Sequence, residues 1–113
     1  QVIIFLFVIS LGIFFKISKE EWLFIFSISA GVFSFELINT ALELLVDLVT
    51  EEYHYLAEKA KDTAAGAVLI MAFFAFIVGI IIFLPYIKEL LDTFFNIIEG
   101  GLIFENKYIL SGS

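Results

Sequence analysis

Long apolar runs alternate along the chain with short charged segments. Val2 to Ile17 is almost continuously apolar, interrupted by Ser10, Gly12 and Lys16, and Ser18-Lys19-Glu20-Glu21 separates it from a second run ending at Val49. Thr50 to Thr63 is the longest polar segment, and Ala64 to Tyr86 is a third apolar run rich in Ala, Ile and Phe. About 20 consecutive apolar residues suffice for a helix to cross a bilayer. The pattern therefore predicts an all-α integral membrane protein with spans at about 1–17, 21–49 and 64–86. The first span is slightly short, and residues upstream of Gln1 are expected to complete it.

Local signals sharpen these boundaries. Ser18 with Glu21 three residues later reads as a capping box at the start of the second helix, and Trp22 beside it suits an interfacial anchor. At 1.5 Å per residue a helix of about 29 residues spans roughly 43 Å, so the second helix should project beyond the bilayer into a charged loop at Thr50 to Thr63. On the third helix Ala65, Ala72, Ala75 and Gly79 share a face, a small-residue pattern that allows close helix approach. Lys88 to Ile98 reads as a short amphipathic helix in the interface, ended by Gly100-Gly101. Residues 1–87 thus form a three-helix membrane domain, and residues 88–113 an amphipathic or irregular tail.

One face of the second helix departs from its apolar character. Glu36, Asn39, Glu43 and Asp47 fall within an arc of about 80° at 100° per residue, forming a polar stripe among Leu, Ile and Phe. An uncompensated acid at the centre of a membrane helix costs roughly 2.5–3.5 kcal/mol, so three carboxylates would cost on the order of 8–10 kcal/mol, less near the helix end. Neutralisation is required, and a divalent cation is a direct means. Asp47 should lie near the headgroups, and Glu36 deeper.

Composition narrows the function classes. Six basic residues against thirteen acidic ones give a net charge of -7, which leaves no basic patch for nucleic acid and no attraction to anionic lipid. The absence of cysteine removes thiol nucleophiles and zinc–cysteine sites. What remains is a set of carboxylates and an amide beside a segment bearing His54, Lys59, Lys61 and Asp62. Carboxylates hold Mg²⁺, a lysine meets phosphate oxygens, and one carboxylate can take a proton from a hydroxyl; these are the parts of a phosphoryl-transfer site. No glycine-rich P-loop, kinase catalytic loop or zinc-protease motif accompanies them.

Glu36-Leu-Ile-Asn39-Thr-Ala-Leu-Glu43, then Val46-Asp47, Glu52-Tyr53-His54, Ala60-Lys61-Asp62 and Ala65-Gly-Ala-Val-Leu69 resemble the prokaryotic diacylglycerol kinase/undecaprenol kinase family. The resemblance covers roughly Ile17 to Tyr86 and is closer to the Gram-positive undecaprenol kinase branch. It implies a lipid kinase using ATP and Mg²⁺, with three membrane helices per subunit in a homotrimeric bundle. Composite sites would lie at the cytoplasmic face of the bacterial plasma membrane. It further implies Glu36 as general base on the lipid hydroxyl, Glu43 as metal ligand, and Asn39, Asp47, His54, Lys61 and Asp62 as polar residues of the nucleotide site, with Lys61 on the phosphates. A further metal-binding glutamate of the family precedes the first span, and this chain is expected to begin after it. The acceptor implied is undecaprenol, with diacylglycerol as the alternative. From the residues alone, a small proton- or ion-coupled transporter using Glu36 and Glu43 as a relay also remains open, as does a non-catalytic assembly subunit.

Overall fold

The computed structural model describes residues 2–52 and 54–111, with side chains to residue 107. It consists of α1 (Val2–Phe15), α2 (Lys19–Val49) and α3 (Tyr55–Ser111). Residues up to Ile80 form one compact unit, and those from Ile81 onward a second.

The joint between α1 and α2 closes through two local devices. Lys16 has φ 52°, and around it the Ile17 amide donates to the Gly12 carbonyl at 3.2 Å and the Lys16 amide to the Ile13 carbonyl at 3.3 Å. This is the paired hydrogen bonding of a helix ending in a left-handed residue, here a lysine in a place that glycine occupies more easily. Two residues later Ser18 caps α2: the Glu21 amide donates to Ser18 Oγ at 3.2 Å, and the Ser18 amide to Glu21 Oε1 at 3.0 Å. The expected capping box is therefore formed.

Aromatic packing joins α1 to α2. Phe5 meets Phe26 and Phe33 edge-on at ring-centre distances of 6.4 and 5.5 Å. Trp22, expected as an interfacial anchor, stacks on Phe26 at 5.5 Å and lies against Gly12, where an added Cβ would sit 2.6 Å from Trp22 Cη2. The bare backbone of Gly12 is what admits the indole. Gly31 of α2 likewise meets the terminal methyl of Met71 on α3, so α2 contacts α1 and α3 on different stretches. Ile17 and Ile25 are the buried hydrophobic residues of this unit among the described residues. Large apolar side chains such as Leu37, Leu44 and Leu69 stand more than 60% exposed. That surface suits lipid or further chains better than water.

α3 departs from expectation at both ends. Its helix starts at Tyr55, so the charged segment expected as a loop to Thr63 is helical over most of its length. Leu56-Ala-Glu-Lys-Ala-Lys61 consists of strong helix formers, and charge density alone is not a helix breaker. Farther along, the tail expected as a separate helix from Lys88 belongs to α3, which holds Pro85 in its interior and passes Gly100-Gly101. Glycine stops a helix by taking positive φ, and no described glycine does so. Residues 87–107 are exposed on every face. By length and composition, one helix among the described residues, 55–107, is apolar enough to cross a membrane, with a window of mean hydropathy 3.1; α1 is apolar but shorter.

Candidate functional site

α2 carries the polar stripe to its C-terminal end. Glu36 and Asn39 are half-buried, whereas Glu43 and Asp47 are exposed. The helix stays regular through the stripe, and Thr40 spends its hydroxyl on the Glu36 carbonyl at 3.1 Å. One turn apart, Asn39 Nδ2 donates to Glu43 Oε1 at 3.5 Å, a long contact that turns the amide nitrogen toward the carboxylate. Asn39 Oδ1 consequently points inward, where it is buried with no hydrogen-bond partner among the described residues. Swapping the amide would set oxygen against the Glu43 carboxylate, so the orientation follows from charge. An unmatched buried acceptor is costly in a folded protein and marks a place where a donor from outside the chain is favoured.

An ion pair of the candidate site crosses from α2 to α3. Lys61 Nζ donates to Asp47 Oδ1 at 2.5 Å, with the side chains 36% and 63% exposed respectively. Asp47 lies in the last turn of α2, where the helix dipole disfavours an anion and α2 supplies no basic residue of its own. Lys61 provides the missing cation from the next helix. In return the lysine amine, three residues before the apolar run, is held above its ordinary value of 10.5. The hydrogen bond to Asp47 is the main cause; partial loss of water around the amine opposes it, and the charges of Asp47 and Glu43 add to it. Lysine is ammonium at neutral pH in any case, and the pair extends that form to higher pH.

The connection between the helices is short and locally bonded. Thr50 ends α2 with its amide on the Val46 carbonyl at 3.0 Å, and its hydroxyl donates to the Glu52 carbonyl at 2.9 Å. His54 then opens α3. Its Nδ1 accepts from the Leu56 amide at 3.1 Å, and its carbonyl accepts from the Glu58 amide at 3.1 Å. These are the two bonds of an N-cap residue, made by an imidazole instead of the usual hydroxyl or carboxylate.

Of the residues expected from sequence, the structure brings together Asn39 with Glu43 and Asp47 with Lys61. Asp62 lies elsewhere, in an open hollow of about 490 Å³ with Tyr55, Glu58, Lys59 and Thr63. A second hollow, about 380 Å³, lies between the helices and is lined by Leu42, Leu56, Lys59, Ala60, Thr63 and Ala64. Lys59 borders both hollows, with its amine 5.9 Å from the centre of the Tyr55 ring. The i+4 spacing of Lys59 from Tyr55 is the signal for this contact that the sequence carries. Among the described residues no three His, Cys, Asp or Glu side chains converge into a metal cage. Glu43 alone fits a different mode, in which Mg²⁺ arrives on nucleotide phosphates and takes one or two protein carboxylates.

Comparison with known proteins bears on the chain as a whole. Residues 1–83 match the family model of prokaryotic diacylglycerol kinase. The chain is 50% identical over 74 residues to an undecaprenol kinase of Bacillus subtilis, covering 66% of this chain and 60% of that protein. It is 54% identical over 64 residues to a diacylglycerol kinase of Synechocystis, covering 56% of this chain and 37% of the relative. A diacylglycerol kinase of Helicobacter pylori is 45% identical over 62 residues, 54% of this chain and 42% of the relative. The chain thus spans less than two thirds of the length of these relatives. No solved structure matches it.

Proposed function

The chain belongs to the prokaryotic diacylglycerol kinase family, and on that premise we propose that it transfers the γ-phosphate of ATP to the hydroxyl of a membrane lipid, undecaprenol. The observation that carries this reading is the Lys61–Asp47 pair, which joins a lysine held as ammonium to the end of a carboxylate stripe. Phosphoryl transfer needs cations on the phosphates and a base on the acceptor, both within one short reach. The identity to a relative named undecaprenol kinase supports the acceptor. Diacylglycerol is the second reading, supported by the names of the Synechocystis and Helicobacter relatives.

In this reading Glu36, the most deeply placed carboxylate of the stripe, takes the proton of the lipid hydroxyl. The oxygen so freed bonds to the γ-phosphorus, the bond to the β–γ bridging oxygen breaks, and ADP leaves. Lys61 faces the phosphates with the ammonium hydrogens that Asp47 leaves free, Asn39 holds Glu43 in place, and Asp62 borders the nucleotide from the hollow at the start of α3. Glu43 is the ligand for Mg²⁺, which when bound neutralises charge on the phosphates. The chain crosses the bacterial plasma membrane three times through α1, α2 and the Ala64–Tyr86 part of α3, with the stripe's open end at the cytoplasmic face. Three copies assemble; the inward acceptor of Asn39 and the exposed apolar surface favour such an assembly over a lone chain.

Offering undecaprenol and diacylglycerol separately in mixed micelles, with γ-labelled ATP and Mg²⁺, tests the proposal on the full-length protein. Preferential labelling of undecaprenol is expected. Preference for diacylglycerol would keep the chemistry and replace the acceptor, and labelling of neither lipid would remove the kinase reading.

A further inference from the structure

The resemblance would place His54 among residues that touch nucleotide, but its geometry assigns it other work. We infer that His54 is a positioning residue: its Nδ1 caps α3 and so holds Lys61 at Asp47, and no contact of its imidazole with nucleotide is needed. The inference rests on the kinase reading only for what Lys61 does once held.

Three observations carry it. The Leu56 amide donates to His54 Nδ1 at 3.1 Å, which occupies that ring nitrogen as an acceptor and fixes the ring orientation. The His54 carbonyl takes the Glu58 amide at 3.1 Å, so one residue meets two of the bonding needs of the helix start. Lys61 lies seven residues on, two turns and about 10 Å along the axis on nearly the same face, and reaches back to Asp47 at 2.5 Å. Fraying of the first turn of α3 lengthens the free connection between the helices and loosens the position from which Lys61 reaches Asp47. A change at His54 is therefore felt at Lys61 through the helix.

The two nitrogens of the ring can be separated by substitution. In His54→Asn the side-chain oxygen stands near the place of Nδ1 and Asn is a favoured cap, whereas His54→Gln reaches toward the place of Nε2 and lacks the short cap. Steady-state rates of lipid phosphorylation by the full-length protein are measured against ATP for the wild type and the His54→Ala, His54→Asn and His54→Gln variants. In parallel, hydrogen exchange at the Leu56 amide and acylation of the Lys61 amine by a water-soluble reagent are followed without substrate. The alanine and glutamine variants should exchange the Leu56 amide about 5- to 30-fold faster. They should also acylate Lys61 faster and show a raised KM for ATP with a smaller change in kcat, while asparagine restores all of these. Restoration by glutamine instead of asparagine would overturn the inference in favour of direct contact through Nε2. Equal impairment of all three variants, or of none, would overturn it as well. If the wild type transfers no phosphate while asparagine still restores exchange and acylation, the cap and its hold on Lys61 stand and the kinase reading falls.

Discussion

The two joints between helices solve the same geometric problem with different means. Between α1 and α2 the polar groups with defined contacts serve the backbone: Lys16 takes the left-handed cap, and Ser18 and Glu21 satisfy each other's backbone partners, while Glu20 stands in the first turn of α2, where the helix dipole favours an acid. Between α2 and α3, His54 and Thr50 meet the backbone needs, and a second population of charges remains. Glu43, Asp47, Lys61 and Asp62 exceed what helix termination requires, and Asp47 sits at the end of α2 that the dipole makes unfavourable for it. An anion retained where the helix dipole disfavours it, at the second joint, is what favours that joint as the candidate site.

Substitutions should separate the two joints by kind of effect. The largest is expected at the stripe leading into the second joint: Glu36→Gln should lower kcat for lipid phosphorylation by about 10²–10⁴-fold, the usual contribution of a positioned base. Equilibrium binding of nucleotide should change little, as calorimetry in detergent would measure. Comparable turnover in the variant would remove Glu36 from its role. Gly12→Ala, beside the first joint, should act on folding instead. A Cβ there meets the Trp22 ring at 2.6 Å, and forcing a rigid ring aside costs typically 1–3 kcal/mol. Denaturation in mixed micelles should report that loss with KM for ATP unaltered.

The smallest effect is expected from pH. The Lys61 amine is raised above 10.5 in the folded chain by its bond to Asp47. Its contribution is therefore complete below the ordinary lysine value and disappears as pH rises through the folded value. Acylation of Lys61 relative to Lys16 should stay suppressed through the neutral range and rise only in strong alkali. Equal reactivity of the two amines at neutral pH would show that the pair does not persist in solution.

Features written in neighbouring residues were legible from sequence, and those made by tertiary approach were not. The Ser18–Glu21 box needs only two side chains three residues apart, and the stripe from Glu36 to Asp47 needs only the helical period. The start of α3 escaped because its cap is a histidine, outside the residues that usually signal a helix start, and because a dense run of charges resembles a loop. Gly100-Gly101 misled for a related reason: a glycine permits a left-handed stop without imposing one. The Asp47–Lys61 pair is separated by 14 residues and depends on the path of the Thr50–His54 connection, which no local period encodes. Asn39 was recognisable as part of the stripe, but its buried, unmatched oxygen follows from which way Glu43 turns it.

The division between the joints is tested most directly by measuring phosphate transfer from labelled ATP to undecaprenol for Ser18→Ala and Lys61→Met side by side, each rate normalised to folded protein. Loss of the Ser18 cap should destabilise the fold by about 1 kcal/mol and leave the normalised rate at the wild-type value, while loss of the Lys61 ammonium should lower the rate by about 10²-fold. A normalised rate that falls for Ser18→Ala as far as for Lys61→Met, or one that survives in Lys61→Met, would contradict the placement of the chemistry at the second joint.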